Sequence, residues 1–224
     1  MKRLALLSIL AASTVFAQTA TSEFQLWNAV MATPQLGKDT PAFSLWFDGH
    51  ARRGPDNTVL IVRPGVGVQV LPWLSVWGGY AWVPTMADGV DDVVNEHRAW
   101  QQVLLQTETS FRLNLQSRTR VEERFHERGG EVGVRLRQFF RVSWRPSVDV
   151  PIGALVSDEL FIGLNSTVWG QPAGIDQNRL FVGPFFQLMP WARIEAGYLF
   201  VYLDRANDRL LHNVSVLAVF NPRF

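Results

Sequence analysis

Two pairs of side chains in this sequence have the types and spacing of acid–base or metal chemistry. Asp48 and His50 stand two residues apart, Glu122 and His126 four apart. On an extended strand both spacings put the partners on one face. Asp48 with His50 could be a base with its orienting carboxylate, or two ligands of a metal ion. Nothing near either pair names a nucleophile, such as a serine on a strand-to-helix elbow. The chain has four histidines and no cysteine, which excludes thiolate zinc sites, cysteine catalysis and disulfide staples. His97 and His212 fall on the parity opposite to the charged residues and are expected near a membrane interface. Hydrogen bonding inside the fold is thus the expected role of His50 and His126, with catalysis or metal binding as the alternative. No metal set and no cofactor is expected. Asn165-Ser166-Thr167 and Asn213-Val214-Ser215 match the glycosylation pattern and are read as chance.

The denser pattern is arginine at alternate positions. Arg118, Arg120, Glu122, Arg124 and His126 share one face of a run whose other face carries Leu113, Leu115, Val121 and Phe125. After the turn signal Arg128-Gly129-Gly130, Arg135, Arg137 and Arg141 oppose Val132, Val134, Leu136, Phe140, Val142 and Trp144. The two runs predict a long hairpin, apolar on one side and arginine-rich on the other. The same parity adds Asp48, His50 and Arg52, then Arg63 with Gln69, and Glu96 with Arg98 and Gln102. Glu159, Arg179, Arg193 and Glu195 complete the charged face. Arginine presents five donors in a rigid fork that pairs bidentately with carboxylates. If these faces meet across a narrow lumen, two readings follow: a satisfied ion-pair network that fills it, or a constricted pore that favours anions.

The elements that must carry these residues are strands. Beyond residue 20 no apolar run is long enough for a membrane helix, and helical periodicity is scarce. Alternating segments of 10–16 residues are expected near 23–31, 42–52, 58–70, 73–83, 95–107, 112–126, 131–144, 148–164, 175–188, 191–203 and 210–224. That length suits a tilted strand crossing a bilayer. Short connections, Leu71-Pro72 and Met189-Pro190, alternate with longer ones, Pro84 to Asn95 and Asn165 to Asp176, the layout of an outer-membrane barrel. A barrel with both chain ends on one side needs an even number, so the eleven segments imply ten or twelve strands, with twelve slightly favoured. Gly65, Gln69, Pro72, Trp73, Gly79 and Tyr80 recur 118 positions later as Gly183, Gln187, Pro190, Trp191, Gly197 and Tyr198. The echo is read as two hairpins with one geometry rather than as a duplication.

Composition and the chain ends agree. Hydrophobic residues make up 47% and charged residues 18% of the chain, at a net charge of +1. That excludes a disordered or nucleic-acid-binding tail protein. Lys2 and Arg3, the apolar run Leu4 to Ala12, and Val15-Phe16-Ala17 have the form of a secretory signal peptide. The expected organisation is therefore a leader over 1–17 and one domain over 18–224. Val216, Ala218, Phe220, Pro222 and the terminal Phe224 line one face of the last segment, the form of strand that barrel-assembly machinery recognises. A soluble β-sandwich is the competing fold. It would solvate its polar face with Lys, Glu and Thr, whereas Lys38 is the one lysine beyond the leader. The expected fold is an all-β, antiparallel, up-and-down transmembrane β-barrel of 10–12 strands.

Several short motifs lie along the chain in order: Arg63-Pro64-Gly65, Gly79-Tyr80, Glu96-His97-Arg98-x-Trp100-Gln101-Gln102, Arg118-x-Arg120-x-Glu122-x-Arg124-Phe125, Glu159-x-Phe161, Gln177-Asn178-Arg179 and Gly197-Tyr198. On these the chain resembles, from about residue 24 to its end, the outer-membrane family catalogued as domain of unknown function 2490. The resemblance implies a β-barrel in the bacterial outer membrane and carries no activity with it; the scarcity of lysine is a departure. The expectations are a structural barrel with an Arg/Glu-filled lumen, alternatively a narrow anion-favouring pore or a lipid-modifying or hydrolytic enzyme. Catalysis is the less favoured reading. Expected partners are outer-membrane lipids with lipopolysaccharide, and the assembly machinery through the strand ending in Phe224, but no nucleic acid.

Overall fold

Alternation of apolar and polar side chains leaves each segment one way to bury its polar face, which is to turn it toward the other strands across a closed sheet. The computed structural model describes residues 20–37, 42–205 and 207–223 and contains strands and turns but no helix among them. The expected leader over 1–17 and Phe224 lie outside the described residues. The strands are β1 (Thr21–Ala32), β2 (Gln35–Leu36), β3 (Ala42–Arg53), β4 (Asn57–Leu71), β5 (Leu74–Ala87), β6 (Val93–Glu108), β7 (Leu113–His126), β8 (Val132–Trp144), β9 (Ile152–Gly163), β10 (Gly174–Met189), β11 (Ala192–Leu203) and β12 (Arg209–Phe220). From β3 to β12 each strand pairs antiparallel with the next, and β1 closes the sheet by pairing with both β12 and β3. No strand keeps a free edge, which is the condition for a sheet in lipid.

The eleven long strands fall on the eleven alternating segments, although β9 begins at Ile152 rather than 148 and β12 ends at Phe220, short of the expected 224, and the choice between ten and twelve dissolves. β1 runs parallel to β12, Thr21 beside Arg209 through Ala32 beside Phe220, and antiparallel to β3. An odd number of up-and-down strands forces one such parallel seam. The two ends of the barrel therefore lie at opposite rims, where the even count had assumed a single side. β2 is not a separate wall strand. Pro34 cannot donate to the ladder, yet Leu45 N donates to Pro34 O at 3.0 Å. The register that pairs Ala32 with Phe47 continues unbroken to Gln35 with Ser44. β2 is thus the tip of the β1 wall, and the seam follows it, with Gln35 N donating to Pro222 O at 2.9 Å.

One rim holds the tight turns after β4 and β10. The other holds the connections 54–56, 88–92, 127–131, 164–173 and 204–208. Two expectations about length shift here. β5 runs on to Ala87, so the connection expected over Pro84 to Asn95 shrinks to 88–92, and the turn-side connection 145–151 is longer than 54–56 opposite it. The Gln69 and Gln187 hairpins match in detail. Each amide donates to two carbonyls of its own turn, Gln69 Nε2 to Leu71 O (2.6 Å) and Leu74 O (3.3 Å), Gln187 Nε2 to Met189 O (2.6 Å) and Ala192 O (3.2 Å). Each hairpin also carries a register shift at the same place, Gln69/Leu71 and Gln187/Met189.

The outer surface carries an apolar band, interrupted by the cross-strand hydrogen-bonded pairs Gln101–Glu123, Thr119–Gln138 and Asn178–Asp158. Phe43, Leu45 and Phe47 on β3, Val62, Val66 and Val70 on β4, Phe140, Val142 and Trp144 on β8, and Val182, Phe186 and Leu188 on β10 all stand exposed. Such a band is compatible with a lipid surround.

Candidate functional site: a charged lumen above a polar vestibule

The inward side chains of β3 and β4 build the first cluster. Arg63 Nη1 donates to both oxygens of Asp48 at 2.9 Å, and Trp46 Nε1 donates to Asp48 Oδ2 at 2.7 Å. His50 Nε2 lies 3.2 Å from Asp48 Oδ1. The Asp48–His50 pair thus meets as its spacing implied, but its carboxylate is already held by Arg63 and Trp46. Among the described residues no hydroxyl is hydrogen-bonded to His50, and no group of three or more His, Asp or Glu could hold a metal ion.

On β6–β9 the arginines interleave with carboxylates. Glu96 takes Arg98 at 2.8 and 3.1 Å and Arg124 at 2.5 and 3.0 Å. Glu122, with no exposure at all, takes Arg135 Nη2 at 2.7 Å and Arg137 Nη1 at 2.6 Å, with Arg120 at 3.8 Å and Arg98 at 4.0 Å beyond. Glu159 joins Arg137 at 2.7 Å to Arg118 at 2.7 Å. Arg120, equally buried, donates twice to Gln102 Oε1, at 2.6 and 2.9 Å, with its guanidinium 4.4 Å from the centre of the Trp100 ring. Arg141 and Arg193 share Glu195 at 2.5 and 2.8 Å. Glu96, Glu122 and Glu159 are bridged by shared arginines into one network, while Glu195 with Arg141 and Arg193, and Asp48 with Arg63, form separate clusters. Arg52 and Arg179 lie inward as well but reach no carboxylate; both face the Trp27 ring, at 4.0 and 5.0 Å.

Glu122 and His126, on one strand face as expected, do not meet. His126 lies at the long-loop rim, its ring stacked on Trp169 at 5.1 Å and 11°. Trp169 belongs to the connection between β9 and β10, which folds over this end of the lumen. Gln171 of the same connection is buried, donates to Val134 O and Asn165 O at 3.0 Å, and accepts from Arg124 at 3.1 Å. At the rim itself Arg53 binds exposed Asp88 at 2.7 and 2.6 Å, and this hydrogen bonding holds the Asp88 carboxyl below its usual range.

Strand parity missed three groups. Asp176 is buried and bound by Arg135 at 3.3 Å and Arg205 at 2.8 Å. A register shift between Ile175 and Gln177 turns it inward beside Gln177, so counting in twos goes wrong there. Gln171 lies in a connection with no periodicity to read. The third group is aromatic: Trp27, Trp46, Trp77, Trp100 and Phe161 all point inward and are buried. Their parity was visible, since Trp46 sits two from Asp48 and Trp100 two from Arg98. Gly65 and Gly79 face each other under Trp100, and a Cβ on either would come within 2.5 Å of its indole. The Asn213 sequon is buried, with its amide donating to Leu199 O at 2.8 Å.

Below the charged band, toward the tight-turn rim, the lumen opens into a vestibule of about 620 Å³. Gln69, Gln106, Asn114, Gln116, Ser44 and Ser75 line it, with Arg141 and Arg193 on its wall. The closed eleven-strand sheet with an arginine–carboxylate interior defines a β-barrel protein whose lumen is packed at one level and open at another. The chain belongs to the family described as "Protein of unknown function (DUF2490)", which matches residues 24–212. It is similar to an uncharacterized protein of Methylorubrum extorquens, 35% identical over 142 residues, which is 62% of this chain and 61% of that relative. The chain thus spans less than two thirds of the relative's length in this match. No solved structure matches it.

Proposed function

We propose that the protein is an integral barrel of the bacterial outer membrane, exported by a signal peptide over 1–17, whose Arg/Glu interior closes and stiffens it rather than conducting. Its outer band would contact membrane lipid and lipopolysaccharide, and the C-terminal segment, β12 with the residues after it through Phe224, would address the barrel-assembly machinery. The observation that carries the reading is Glu122, wholly buried and bonded to Arg135 and Arg137 in the middle of the lumen. A water-filled channel would leave such charges hydrated. The test is single-channel recording in planar bilayers on protein purified from outer-membrane fractions, checked as heat-modifiable on gels. The expected result is a barrel that inserts without steady conductance steps. Recovery as a soluble periplasmic protein would overturn the membrane placement. One observation favours a second reading: inward arginines outnumber inward carboxylates. Steady steps with anion preference would give the lumen to a narrow anion pore.

A further inference from the structure

Arg52 on β3 and Arg179 on β10 differ from the other inward arginines. The others reach a carboxylate, or for Arg120 the Gln102 amide oxygen at 2.6 Å. Neither Arg52 nor Arg179 makes an ion pair among the described residues, and the Nε of each is buried without a hydrogen-bond partner. Arg179 spends one donor on Gln177 Oε1, at 3.3 Å. Both stand against one indole, their Cζ atoms 4.0 and 5.0 Å from the Trp27 ring centre, and so lie within about 9 Å of each other; Arg179 also stands 4.3 Å from the Phe161 ring. That indole is a fixed platform: its Nε1 donates to Gln25 Oε1 at 2.8 Å, and it is buried among Leu199, Val201 and Leu211.

An aromatic face attracts a cation but supplies no acceptor oxygen, so stacking leaves the forks of both guanidiniums short of partners. Two like charges over one ring also repel. Buried charges are ordinarily paired, and a single oxyanion would pair both, its oxygens accepting from each fork at the 2.7–2.9 Å typical of charge-assisted bonds. The site is reachable. Both side chains are half-buried, and Arg52 is one residue from the rim end of β3.

We propose that Arg52 and Arg179 form a binding site for a small oxyanion, a carboxylate or phosphate group, held between their guanidiniums beside Trp27. The site goes beyond the closed-scaffold reading and does not depend on conduction.

The test is the thermal unfolding midpoint of the full chain in detergent, titrated at constant ionic strength with inorganic phosphate, and separately with acetate, in place of chloride. A saturable rise in the wild type is expected with at least one of the two probes. Arg52→Gln and Arg179→Gln should each weaken the apparent affinity at least tenfold. In chloride alone they should unfold no earlier than wild type, because each removes a repulsion. Arg193→Gln, in the vestibule, should respond like wild type. Three results would overturn the site: no response to either probe, responses unchanged in both arginine variants, or loss of the response in Arg193→Gln instead. Failure of both variants to assemble would also overturn it, by showing that the pair serves the wall itself.

Discussion

The two halves of the lumen obey the same parity and end differently. Toward the long loops, Glu96, Glu122 and Glu159 each bind two arginines, and Trp100, Trp46 and Phe161 fill the space between them. Toward the tight turns, glutamines, an asparagine and serines line about 620 Å³ of open space, together with Trp46, Trp77 and the Glu195-bound Arg141 and Arg193. The inside of a barrel is therefore plug or cup according to what alternates. Long forked cations, carboxylates and indoles extend from neighbouring strands into the lumen and close on each other. Short amides and hydroxyls do not.

The sharpest break of that contrast is Glu122→Gln. It leaves Arg135 and Arg137 buried without their shared carboxylate, and a loss of about 3–5 kcal/mol is expected, read as a lower unfolding midpoint in detergent. An unchanged midpoint would mean the packed half is as wet as the vestibule. Leu136→Arg, on the outer face of β8, puts a cation into the apolar band and should cost about 2–4 kcal/mol, seen as less folded barrel after reconstitution into lipid. Gly79→Ala tests the packing under Trp100, where the added carbon would meet Pro64 O at 2.3 Å as well as the indole. Overpacking of about 1–3 kcal/mol should follow, and a silent substitution would show the packed half to be loose. Gln69→Ala and Gln187→Ala should each lower the midpoint by about 1 kcal/mol, and by like amounts if the two turns are mechanically equivalent. Gln116→Arg is the smallest: a cation added to an open, solvated wall should cost less than about 1 kcal/mol. A loss as large as that of Leu136→Arg would reverse the assignment of inner and outer faces on this hairpin.

Much of this was legible in the sequence because a period of two is hard to mistake over twelve residues. The eleven segments, the inward arginines and the matching Gln-Pro-Trp turns are all written in that alternation and in the residues that interrupt it. What was hidden was hidden for stated reasons. A bulge at Ile175/Gln177 breaks the count and conceals Asp176. Gln171 enters the lumen from a loop, where no period exists. The even strand number rested on an assumption about where the ends lie, and pairing between residues 188 positions apart, such as Thr21 and Arg209, leaves no local trace. Glu122 and His126 share a face, yet a shared face fixes direction and not contact.

The parallel seam also bears on how the protein can be handled. β1 begins at the long-loop rim and β12 ends at the tight-turn rim. A short epitope placed before Thr21 and another after Phe220 would therefore emerge on opposite faces of any bilayer the barrel spans. A protease or antibody offered to one face should reach only one of them. In an even-stranded barrel both would be cut or labelled together, so a two-epitope accessibility assay would report strand parity and sidedness in one measurement.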